Sequence, residues 1–123
     1  MPSPAEVDQF LKDHFRSVWS LELLLHLERT PERGASAPEL VEALRASQAI
    51  VEQALAGLVA GGLIAVEDGG VARYAPANAR LRDFVTLARD AYASRPDSVR
   101  RAIVSGAVSG ASAFADAFRL RKD

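Results

Sequence analysis

At Gly61–Gly62 the sequence changes its period, and that change restricts the fold more than any other feature. Upstream, Ile50, Val51, Ala54, Leu55, Leu58 and Val59 recur three and four residues apart, the apolar face of a helix that can start at Ser47. Downstream, "LIAVEDGGVARYAPA" predicts two short strands, 63–67 and 71–75, joined at "DGG". Asp-Gly is a strong hairpin signal because tight two-residue turns need positive φ. A helix stopped by two glycines and followed at once by a hairpin predicts an α+β fold, mainly α with a small β-hairpin.

The segments before the switch are punctuated as helices. Ser3 with Glu6, and Ser36 with Glu39, have capping-box spacing, with Pro4 and Pro38 in the first turns. Val7, Phe10, Leu11 and Phe15 form the stripe of a first helix over residues 3–15. In "SVWSLELLLHLERT", Val18, Trp19, Leu21, Leu24, Leu25 and Leu27 cover more than one face, as in a helix central to a core. "PERGAS" ends it, and a short helix carrying Leu40, Val41 and Leu44 follows. After the hairpin, Asn78 can cap a helix bearing Leu81, Phe84, Val85, Leu87 and Ala88. "SRPD" breaks that helix, and Ser94 with Asp97 suggests a further cap before a last helix over 96–119. The expected organisation is one domain over 1–123: an N-terminal helix at 3–15, a core at 17–76 and a helical extension at 78–121.

Composition narrows the function classes. With 49% hydrophobic and 25% charged residues, the chain has the proportions of a globular protein, and 123 residues suit one core. There is no cysteine, which removes disulfides, thiolate metal sites and a thiol nucleophile. His14 and His26 have no partner at metal-ligand spacing, and no phosphate loop or nucleophile elbow occurs. The expectation is no catalytic residue, no metal, no cofactor and no enzyme activity. "AIVSGAVSGASAFADAF" is too short and polar to span a bilayer, and the first residues lack a secretory signal, so a cytoplasmic protein off the membrane is expected.

Residues 17–76 resemble the winged-helix domains of bacterial transcription regulators, most nearly those of the MarR type. "VWSLELLLHL", "APELVEALRAS", "IVEQALAGLVAGGLIAV" and "EDGGVARYAPA" carry the likeness. The resemblance implies a winged helix-turn-helix with flanking N- and C-terminal helices, the helix from Ser47 reading double-stranded DNA and the hairpin serving as wing. It implies Ser47, Gln48, Glu52 and Gln53 as outward positions of the reader, with Arg45 and Arg73 on phosphates. Winged helices also serve as protein-binding modules, so a protein partner is the second expectation. Residues 36–76 hold five acidic and two basic residues, a net −3, which suits that alternative.

The charge is divided along the chain. Residues 1–76 carry a net −5 and residues 77–123 a net +4. In the last helix Val99, Ala102, Ile103, Gly106, Gly110 and Ala117 fall on one side, and Val104, Val108, Ala111, Ala115 and Phe118 on the other. An apolar arc of roughly 240° is wider than one neighbour needs. It predicts cover on two sides, by the chain's own domain and by a second copy. Ala102, Ile103, Gly106, Gly110, Phe114 and Phe118 are the expected homodimer contacts; a helix wrapped by Trp19, Phe10 and Phe15 within one chain is the alternative.

Overall fold

A computed structural model describes residues 2–106. The elements are α1 (Pro4–His14), α2 (Val18–Arg29), β1 (Ala35–Ser36), α3 (Ala37–Leu44), α4 (Gln48–Ala60), β2 (Ile64–Val66), β3 (Val71–Tyr74) and α5 (Ala79–Ser94). A sixth helix, α6, begins at residue 96 and is described to residue 106. The chain is mainly helical with a small antiparallel sheet, an α+β arrangement.

The helix starts follow from side chains that satisfy orphan backbone donors. Ser3 Oγ accepts from the Glu6 N–H at 3.2 Å, while the Ser3 N–H donates to the Glu6 carboxylate at 3.2 Å. Ser36 and Glu39 repeat the exchange at the head of α3, at 3.4 and 3.1 Å. Ser47 accepts from the Ile50 N–H and Asn78 from the Leu81 N–H, at 3.1 and 2.9 Å. Ser94 departs from expectation. Its hydroxyl donates back to the Asp90 carbonyl one turn earlier in α5, at 2.9 Å, and Asp97 pairs instead with Arg100 at 3.2 Å.

The sheet has the order β1-β3-β2, antiparallel throughout. Ile64, Ala65 and Val66 face Tyr74, Arg73 and Ala72, and the other edge of β3 takes Ala35 and Ser36. The strand β1 is an addition to the expected hairpin; two residues are too few to show a period. Gly34 makes it possible. Its φ is +68°, and a Cβ there would lie 2.5 Å from the Ala72 carbonyl oxygen, so a side chain would hold the chain away from β3.

The core is built around α2, whose Leu21, Leu23, Leu24, Leu25 and Leu27 are all buried. Phe10 of α1 stacks on Phe84 of α5 with ring centroids 4.9 Å apart and meets Phe15 edge-on at 5.7 Å. Val99, Ala102 and Ile103 bring α6 into the same cluster. Polar links tie α5 to α2 as well: Arg89 pairs with Glu28 at 3.0 Å, and the Tyr92 hydroxyl donates to Glu22 at 3.1 Å. Among the described residues no helix is long and apolar enough to cross a membrane.

Candidate interaction surface

Between α3 and α4 the chain turns within three residues. Arg45 caps α3 in the left-handed region, at φ 54° and ψ 39°, and Ser47 opens α4. Val51, Ala54 and Leu58 hold α4 on the core, leaving Gln48, Ala49, Glu52, Gln53, Ala56, Gly57 and Ala60 exposed, and with them Val59, which helical spacing had placed on the apolar face. Arg45, Ser47, Gln48, Glu52 and Gln53, expected from sequence as a contact set, therefore lie together, exposed, from the turn along the first half of α4. Three of them are partly committed. Ser47 spends an acceptor on its cap, and the Gln48 amide donates to Glu52 at 3.0 Å.

Arg73 is placed apart from that set. Its guanidinium pairs with the Glu67 carboxylate across the β2–β3 hairpin and donates to the Glu32 carbonyl in the loop after α2. It is the only base of the hairpin, and both partners belong to its own chain. Residues 47–60 contain no Lys or Arg, while Glu52, Glu67 and Asp68 are exposed, so of the bases expected at the contact, Arg45 in the turn is the one left on this face.

A cleft of about 910 Å³ lies along α4 on the side facing the α1–α2 junction. Trp19 and Ser20 of α2 line it, with Asp13 and Arg16 of the junction and Ile50, Gln53, Gly57 and Gly61 of α4 or its end. Trp19 reads from sequence as a core residue; the structure leaves it half-buried as part of this lining. Its position at the first turn of α2, beside the polar junction, was the available signal. Among the described residues no group of three or more His, Asp or Glu could hold a metal ion.

The chain matches no family model, no curated protein and no solved structure.

The α6 residues expected at a contact between copies are placed differently. Ala102 is 7% exposed and Ile103 fully buried within the chain's own core. A Cβ on Gly106 would fall 2.7 Å from Lys12 Cα, so the close backbone approach that this glycine permits is to α1 of the same chain. These three positions are consumed by intrachain packing because the Val99 side of α6 faces α1 and the core. The open side in this stretch carries Val104, 55% exposed. Gly110, Phe114 and Phe118 lie outside the described residues.

Proposed function

We propose that residues 17–76 are a winged-helix module, with α3 and α4 as its helix-turn-helix and the β2–β3 hairpin as its wing, and that the module docks on a protein rather than on duplex DNA. The order of elements supports the first part: two short helices joined by a three-residue turn, followed by a hairpin. One observation carries the second. The α4 and hairpin surfaces offer no uncommitted base, since α4 has none and Arg73 is held by Glu67 and Glu32.

Magnitudes favour a protein partner. Affinity for duplex falls with salt by about 0.9 log unit per log unit for each phosphate neutralised, so six to ten contacts lose about 10³–10⁵ between 50 and 200 mM, whereas one contact loses only about threefold. Arg45, even with Arg16 beside the cleft, stays near the second regime. A face that is net −3 over residues 36–76 repels phosphates and attracts basic protein surfaces.

A homodimeric DNA-binding regulator is the second reading, favoured by exposed Gln48 and Gln53 on the first half of α4, where amides can reach base edges. It requires bases from elsewhere in the assembly. Amide chemical shifts recorded during titration with short mixed-sequence duplexes separate the two. The protein-docking reading expects no clustered change at residues 45–53; saturable shifts concentrated there would transfer the assignment to DNA.

A further inference from the structure

We infer that the cleft along α4 receives a single amphipathic helix of a partner protein, with bulky apolar side chains on its buried face and Lys or Arg on the flank beside α4. This deepens, and rests on, the reading of the α4 face as a protein-docking surface. The cleft follows α4 from Ile50 to Gly61, roughly 16 Å at the rise of a helix, or about three turns of a guest. Apolar anchors at positions i, i+3 and i+7 of such a guest span about 10 Å and fall within that length.

The walls suit a helix. On the α4 side Ala56, Gly57 and Ala60 are short and exposed, and a Cβ added at Gly57 would meet nothing within 4 Å, so a guest backbone can come close. Trp19 stands opposite, half-buried, and Ile50, Ala54 and Leu58 continue the apolar surface. An aromatic wall facing a low one leaves room for side chains of leucine or phenylalanine size. The lining has little with which to orient a small polar molecule. Ser20 is its one buried polar residue, and that hydroxyl donates to the Ser17 carbonyl at 2.6 Å.

Charge selects the polar flank of the guest. Glu52 is the only charged residue of α4, and α3 and the hairpin add Glu42 and Asp68. All three are exposed, and none makes an ion pair among the described residues. Arg45 in the turn offsets one of them. Across the cleft Asp13 and Arg16 supply one acid and one base, so the imbalance lies on the α4 side. Acids left uncompensated there attract Lys or Arg on the guest and repel Asp or Glu, which sets selectivity, while Trp19 and the short residues supply the buried contact.

Trp19 is the only tryptophan, so it reports on the cleft directly. The probes are synthetic peptides of about 14 residues, about four turns. One has leucines along a single helical face and Lys elsewhere; a second has Glu in place of Lys; a third keeps the composition of the first but scatters its leucines. The full-length chain is titrated with each while Trp19 emission and acrylamide quenching are followed. The Lys peptide should give a saturable blue shift and weaker quenching, and the other two should bind at least about tenfold more weakly. Glu52→Lys should weaken the Lys peptide about tenfold. Gly57→Phe fills the cleft and should abolish the Trp19 response, with circular dichroism to verify the fold of both variants. No Trp19 response to the Lys peptide, or one that Gly57→Phe leaves intact, overturns the inference. Equal binding of the Lys and Glu peptides overturns it as well, as does a two-chain mass in sedimentation that the Lys peptide disperses, which would give the cleft to a second copy. Amide shifts on α3 and the hairpin without a Trp19 response would leave the protein-docking reading standing, whereas duplex binding by the chain alone would remove that reading, so the two fail separately.

Discussion

Arg45 occupies a backbone region in which the Cβ of an L-residue crowds the following carbonyl. Glycine is the usual residue at such a helix end, so Arg45→Gly should raise the unfolding free energy by up to about 1 kcal/mol. Urea unfolding checks this as a higher midpoint at constant slope; a lower midpoint would mean that the guanidinium itself holds the turn. The opposite outcome is expected at Gly106. A side chain there meets the Lys12 backbone within 2.8 Å, and Gly106→Leu should destabilise by about 1–3 kcal/mol, as overpacking does. Because that contact is within one chain, the loss in melting temperature should not depend on protein concentration. Arg73 marks the limit of sequence reasoning at this scale. Its position on the second strand was legible from the hairpin pattern, but its pairing with Glu67 depends on strand register, and its bond to Glu32 joins residues 41 apart in the chain.

At the level of elements, α1, α3, α4 and α5 were legible because each begins with a residue whose side chain answers a backbone donor within three positions. Local chemistry of that kind is written in the sequence. The strand β1 was not, since it exists through the approach of Gly34 to Ala72, and the supposed cap at Ser94 failed because that hydroxyl serves the helix before it. The two capping boxes also set an acid limit. The Ser3 backbone N–H, then its hydroxyl, holds the Glu6 carboxyl below the usual glutamate value of 4.5, and Ser36 does the same for Glu39. Each carboxylate binds protons less readily folded than unfolded, so its stabilising effect is full above the unfolded value and is lost as the pH falls through the lowered folded one. Urea midpoints measured across that acid range should decline less steeply in Glu39→Gln than in the unaltered chain. An identical decline would show that the box at α3 does not contribute to the acid transition.

For the whole molecule, the division of charge and the α+β outline are legible in the order of residues alone, and so is the unusual poverty of bases from Ser47 to Tyr74. What residue order does not carry is commitment: which charges are spent inside the chain, and which side of α6 its own core uses. Ala102, Ile103 and Gly106 looked free to meet a second copy only because helical spacing fixes relative faces and not their neighbours. Trp19 likewise took its meaning from the cleft beside it.

The most direct measurement is fluorescence anisotropy of labelled mixed-sequence duplexes with the purified chain at about 50 and about 200 mM salt, conditions between which a multi-phosphate contact loses orders of magnitude in affinity. Docking on a protein predicts no saturable duplex binding at either salt, or weak binding that changes only about threefold, the share of a single phosphate contact. Tight binding at low salt that falls a thousandfold or more would contradict it and make the α4 face a reader of DNA.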